Sequence, residues 1–341
     1  MPLTRLSIET QTLHAELMER LGAREAQRSV GSLEGTFTTK LIGGKEYLYF
    51  LHYTPGGRRN ISLGPNTPRL AELVARHREG RSEEREDPVG IRELCAQLKA
   101  GKVARAPRAV VRVLRELADA SLFRLGGVLV GTYAFGCIGN LLGVRWDETT
   151  LGTQDVDIAA ARNISVAVPN LTADIPKTLE SLSMGFFPIP PLNPRHPSTS
   201  FAIRKSPLRI DLLTPKTGRE EDPVYIPRLR AAAQPLSFLD YLLEEPIPGA
   251  VLDGDAVQVF LPQPLRFALH KLVVSQLRDA TAGAKAQKDL YQAYQLLAWF
   301  GEERPSEINA SWEELTGRGG RWSKLAEAGK KKMEQRYGTI K

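Results

Sequence analysis

The chain has 341 residues, 42% hydrophobic and 25% charged, enough to bury a sizeable core, and this excludes a fibrous or wholly disordered protein. Its two cysteines, Cys95 and Cys137, lack CxxC or Cys/His metal spacing, so free thiols in a reducing cytoplasm are expected. The net charge of +7 favours phosphate-bearing partners such as nucleotides and nucleic acid, without choosing among them.

From the start of the chain, residues 5–28 read as an amphipathic helix, with Leu6, Leu13, Leu17 and Leu21 near helical spacing, and no apolar signal core precedes it. Two turn signals, Gly43-Gly44 and Thr54-Pro-Gly-Gly, separate three β-rich runs and predict a small antiparallel meander. Within it, Tyr47, Tyr49 and Tyr53 alternate among Lys45, Arg58 and Arg59. This pattern would suit a stacking surface for nucleic acid, although a half-buried strand is the more ordinary explanation. A helix is expected from Thr67, ahead of the charged break that begins at Arg81. This gives an N-terminal region over 1–80 and a linker over 81–106.

From Pro107 the character changes. Val110, Leu114, Leu117 and Ser121 step round one helical face, before the apolar strand Gly127-Val-Leu-Val. Residues 125–144 carry no charge and match a bilayer in length, but six glycines and Asn140 favour a strand, a tight turn and a buried helix over a membrane span. Further strands are predicted at Thr153–Ala160, Ile164–Val168, Thr199–Arg204 and Leu208–Thr214, with a helix at Ile175–Met184. The five prolines of Phe186–Ser200 predict a stiff, irregular loop. Beyond Leu213 mostly helix is expected, most clearly at Pro264–Asp279 and Ala284–Phe300, with more helix over Trp312–Tyr337. The basic tail, Lys330-Lys-Lys and Arg336, reads as a solvated helix end.

The chemistry is carried by an ordered set: Val130-Gly131-Thr132 after a buried strand, then a helix, then Asp155-Val-Asp157, then Asp211 between apolar neighbours. Side chains two apart on a strand share a face, so Asp155 and Asp157 point together while Val156 and Ile158 turn inward. Adjacent carboxylates repel unless a cation lies between them, and Mg2+, with Mn2+ as a substitute, suits oxygen ligands shared with phosphates. Asp211 would complete such a site if its strand lies beside the first. Gly131 lets the backbone approach a phosphate, and the helix start at Thr132 offers unpaired N–H groups.

These residues resemble the DNA polymerase β-type nucleotidyltransferase superfamily, and more narrowly its bacterial nucleotidyltransferase-like proteins. The resemblance covers 107–215 well and 260–300 less closely. It implies an α+β fold, with a mixed β-sheet flanked by helices as the catalytic core over 107–225 and a mainly helical domain over 226–341. It also implies transfer of an NMP from an NTP to an acceptor hydroxyl, with release of pyrophosphate and two metal ions. Asp155, Asp157 and Asp211 would hold the metals, Asp211 would help activate the acceptor, and Gly131 and Thr132 would hold the β- and γ-phosphates. Two departures stand out: Gly-Thr replaces the usual Gly-Gly or Gly-Ser, and Gly143–Gly152 looks like an insertion.

In the helical part, Lys285, Lys288 and Gln292 share a face on which two lysines could neutralise a triphosphate, while Leu290, Tyr294 and Leu297 pack inward. Lys271 and Arg278 are secondary candidates, and an ordinary solvated face is an almost equal alternative. The acceptor stays open among an RNA end such as tRNA, a protein side chain and a small molecule. Similar proteins include toxins and defence proteins, which implies an antitoxin as a partner class. The rival reading is a non-catalytic nucleic-acid-binding or regulatory module on the same fold.

Overall fold

The structure is a computed structural model that describes residues 3–31, 35–42, 44–54, 57–66, 87–147, 155–162 and 172–340. In chain order the first half holds β1 (Leu3–Arg5), α1 (Ile8–Gly31), β2 (Gly35–Ile42), β3 (Lys45–Thr54), β4 (Gly57–Pro65), α2 (Asp87–Ala100), α3 (Arg108–Asp119), β5 (Val128–Val130), α4 (Gly131–Leu141), β6 (Val144–Trp146) and β7 (Asp155–Ala159). The second half holds α5 (Ile175–Ser181), β8 (Phe186–Pro188), β9 (Ser200–Ile203), β10 (Arg209–Pro215), β11 (Val224–Ile226), β12 (Ala231–Leu236), α6 (Asp240–Leu243), β13 (Ile247–Leu252), β14 (Ala256–Leu261), α7 (Pro264–Ser275), α8 (Gly283–Glu303), α9 (Pro305–Gly317) and α10 (Gly320–Tyr337). The expected mixed α/β architecture is what is found.

A seven-stranded mixed sheet forms the centre. Its main path runs β11-β12-β10-β7-β5, and β9 joins β10 with β8 beside it. Strands β7 and β10 are parallel, with Asp155 opposite Arg209 and Asp157 opposite Asp211. The other edge of β10 is shared: β9 pairs with Arg209–Asp211 and β12 with Leu213–Pro215. One face of β7 and β10 is sealed by Val156, Ile158, Ile210 and Leu212, all at most 2% exposed. The alternate residues are therefore left on the open face.

The uncharged stretch over 125–144 folds as expected, with β5, a turn at Gly131 and α4 buried along most of its length. No helix among the described residues is long and apolar enough to cross a membrane. Asn140 is sequestered by reciprocal bonds with the backbone of Ala104 (2.8 and 2.9 Å). Phe135 of α4 stacks on Trp146 and on Phe267 of α7, which fixes the helical region against the sheet. Residues Val144–Trp146, the start of the expected insertion, form β6 and pair with β1 at the N-terminus.

The described part of the 81–106 linker differs from expectation. It contains α2, whose Ile91, Leu94, Cys95 and Leu98 pack with Leu17 and Leu21 of α1 and with Leu252 and Ala256. An apolar face is buried there, and a solvated connector would leave it in water. The region after Leu213 is also less helical than predicted, because β11 to β14 precede α7. The boundary set at 225 falls inside β11, which pairs with β12, so the sheet continues past it. The Pro-rich segment begins as strand β8, paired with β9, before turning irregular. The three-stranded meander β2-β3-β4 is present. The helix expected from Thr67, the charged break at Arg81, and the strand at Ile164–Val168 lie outside the described residues.

Candidate active site

The open face of the sheet and the helices α7 and α8 enclose a cleft of about 870 Å³. Gly131, Thr132, Asp155, Asp157, Asp211, Lys271, Arg278, Lys285 and Lys288 all line it, so every residue singled out from the sequence for this chemistry converges there except Gln292. Gln292 shares the lysine face but is fully buried, together with its neighbours Ala293, Gln295 and Leu296.

The carboxylates come together through strand register. Asp157 and Asp211 are direct neighbours across β7 and β10, and Asp155 follows two residues away on the same face. Burial raises the Asp157 carboxyl to about 7, and the charge of Asp211 adds to it, partly offset by Lys271. Asp211 is engaged on one side: its Oδ1 accepts from Arg209 Nε (2.7 Å) and from the Ser200 hydroxyl. Arg209 Nη2 also donates to Ser200 Oγ (3.0 Å), closing a three-membered clasp. Among the described residues no group of three His, Cys, Asp or Glu side chains already converges on a common point for a metal ion. The donor chemistry nevertheless fits one: three carboxylates on one face, with Asp157 held back from ionising by burial and by the charges of Asp211 and Asp155.

Val130 opposes Asp157 across β5 and β7, and the chain then turns at Gly131 with φ +72°. A β-carbon at Gly131 would lie 2.3 Å from Asp157 Oδ2, so glycine is required both for the turn and for the space Asp157 occupies. Helix α4 starts there with no side-chain cap from Val130. Burial, helped by the charge of Asp155, pushes the neighbouring Tyr133 hydroxyl up to about 12.

The opposite wall is cationic. Lys288 Nζ donates to Thr132 Oγ1 (3.0 Å), joining α8 to the glycine turn. Burial and the charge of Lys271 lower the Lys288 ammonium from its ordinary value. Asp289, only 3% exposed, accepts from Lys271 Nζ (2.5 Å) and from Arg278 Nε and Nη2 (both 3.1 Å). Burial alone would raise the Asp289 carboxyl, but Lys271 and Arg278 outweigh it and hold it below the usual range. The sequence reading assigned no role to Ser200, Arg209 or Asp289. The alternation that marks Asp211 also places Arg209 on its face, whereas Ser200 and Asp289 depend on tertiary register.

The sequence profile of a nucleotidyltransferase family matches residues 108–317, from the start of α3 to the end of α9. No curated protein and no solved structure matches the chain. The matched stretch contains the whole cleft and more than half of the chain, and this protein therefore belongs to the nucleotidyltransferase family.

Proposed function

We propose that this protein is a metal-dependent nucleotidyltransferase of the polymerase β type, moving an NMP from an NTP to an acceptor hydroxyl. The observation that carries this is the register pairing of Asp157 with Asp211, beside Asp155 and facing a wall of lysines. Asp155, Asp157 and Asp211 would hold Mg2+, which when bound supplies positive charge to the carboxylates and the triphosphate oxygens.

The protein's own groups then have separate tasks. The N–H groups at Gly131 and Thr132 receive the β- and γ-phosphates, and Lys285 and Lys288 neutralise them. Ser200 and Arg209 fix the direction of the Asp211 carboxylate. The acceptor oxygen forms a bond to the α-phosphorus, and the bond from that phosphorus to the bridging oxygen breaks. Pyrophosphate leaves with the electron pair, and the acceptor proton passes to Asp211 and on to water. Catalysis rests mainly on positioning and charge.

The direct test incubates the purified protein with Mg2+, each α-labelled NTP in turn, and total cellular RNA or protein. An Asp155→Ala/Asp157→Ala double variant runs alongside. Label that depends on both aspartates supports the assignment. A double variant that labels as well as the wild type overturns it.

A further inference from the structure

The basic C-terminal helix takes no part in the cleft, yet its charge is arranged. Helix α10 carries six Lys and Arg against two Glu over its 18 residues. Its inner face is apolar and close-packed: Ala326, Gly329 and Met333 are buried, and a β-carbon at Gly329 would collide with the backbone of Leu272 in α7. That approach holds α10 against α7 and leaves its charge on the outside. Lys324 and Lys331, seven residues apart, share the outer face, and Lys332 with Arg336 extends it toward α8. Lys324, Lys331 and Lys332 are exposed and have no ion-pair partner among the described residues. The two glutamates are engaged along the helix, Glu327 with Ser323 (2.7 Å) and Glu334 with Lys330 (4.0 Å). Two arginines nearby behave differently, since Arg266 and Arg318 share Glu244 as a partner.

This row of cations runs toward the cleft and ends at aromatic rings. From Lys324 to Arg336 it spans about 18 Å at the rise of an α-helix. Arg336 Nη2 donates to Gln287 Oε1 (3.1 Å), and Gln287 stands on α8 between Lys285 and Lys288, both in the cleft wall. Beside this contact Tyr337 packs on Tyr291 and Tyr294, with ring centroids 5.0 and 5.3 Å away. All three rings are only partly buried. Unpaired like charges on one helix repel each other, and a polyanion laid along them relieves that repulsion while releasing its counterions. Aromatic faces beside such a row suit unpaired bases, because a base in a duplex has its faces already covered. A lipid surface fits less well: among the described residues no exposed large apolar side chain lies on α10 to enter it.

We propose that the outer face of α10, through Lys324, Lys331, Lys332 and Arg336, binds the phosphodiester backbone of a single-stranded nucleic acid, and that the Tyr291, Tyr294 and Tyr337 stack receives a base at the α8 end. The site is separate from the carboxylates and stands whether or not the chain transfers nucleotides. A strand bound there arrives beside the lysine wall of the cleft.

The test follows the fluorescence anisotropy of a labelled RNA strand of about 12 nucleotides, a DNA strand of the same sequence and the corresponding DNA duplex. Each is titrated between about 50 and 200 mM salt, with neither NTP nor Mg2+ present. Wild type is compared with Lys331→Ala/Lys332→Ala and with Lys99→Ala/Lys177→Ala, an equal loss of exposed charge on α2 and α5. Vesicles of phosphatidylcholine and phosphatidylserine form a separate arm. The expected result is salt-sensitive binding of a single strand, the RNA and DNA arms showing which backbone is preferred. Lys331→Ala/Lys332→Ala should weaken it about tenfold and lower the slope of log K against log salt by about 1.4, with the α2 and α5 pair within about twofold of wild type. Absence of binding to either strand overturns the proposal, as does an equal loss in the α2 and α5 pair, which would reduce the effect to net charge. A duplex bound as tightly as the single strand also overturns it, by removing the role of the tyrosines. Binding to the vesicles alone, lost in Lys331→Ala/Lys332→Ala, gives this face to a membrane instead.

Discussion

On the sheet wall of the cleft, Asp157 is buried against two other carboxylates and resists ionisation up to about 7. On the helical wall, Lys271 and Arg278 are tied to a buried carboxylate, Asp289, that is held ionised. One wall is short of positive charge, and the other has its charge compensated from behind. The difference separates two tasks. A surface that must capture a cation gains from unmet charge, whereas side chains that must hold a direction gain from a buried partner.

The contrast can be broken at several points. The largest effect is expected from Asp155→Ala or Asp157→Ala, which should lower NMP transfer by about a thousandfold or more in the labelling assay, with circular dichroism unchanged. Next, Asp289→Ala leaves Lys271 and Arg278 without their shared anion and should cost about 3–5 kcal/mol in denaturant unfolding. Asp289→Asn should cost less while still weakening nucleotide binding. Gly131→Ala drives a methyl group into Asp157 at a positive φ and should reduce turnover about a hundredfold.

The sheet wall also carries a pH signature. Asp157 holds its proton up to about 7 in the folded state, against 3.8 ordinarily, so stability falls as pH rises from about 4 to 7. Asp157→Asn removes that loss and should stabilise the protein by roughly 4 kcal/mol at pH 8, with no gain at pH 3, as read by thermal unfolding. His14 and His270, buried neutral and lowered to about 4 and 3, act in the opposite sense: the stability they give above 6.5 is lost as pH falls. The smallest effect is expected from Lys288→Met, which should raise the NTP KM about tenfold by removing the link to Thr132.

Legibility in the sequence followed the range of the interaction. Asp155, Asp157 and Asp211 were readable because strand alternation is local: Asp157 and Asp211 each lie between apolar residues that turn inward, and Asp155 stands two residues from Asp157 on the same strand. Gly131 was readable because a tight turn between strand and helix calls for glycine. Ser200 and Asp289 were not, since Ser200 reaches Asp211 through the β9–β10 pairing and Asp289 reaches Lys271 through the packing of α7 on α8. Helix α2 was hidden behind the charged run that precedes it. The hairpin β13–β14 carried a signal that the sequence reading passed over: Asp253-Gly254-Asp255 between two apolar runs, with Gly254 at φ +68°.

The pairing of Leu3–Arg5 with Val144–Trp146 bears on how the chain assembles. These partners are separated by about 140 residues, so β1 has nothing to pair with until Trp146 has been synthesised. Loop closure over that distance is slow compared with the formation of α4, which precedes β6 in the chain and makes its contacts locally. The N-terminal strand should therefore dock late, onto a sheet and helix already in place. Its docking fixes Val144–Trp146, which follows α4 directly. Completion of the first strand of the protein is in this way coupled to the anchoring of the segment that follows α4.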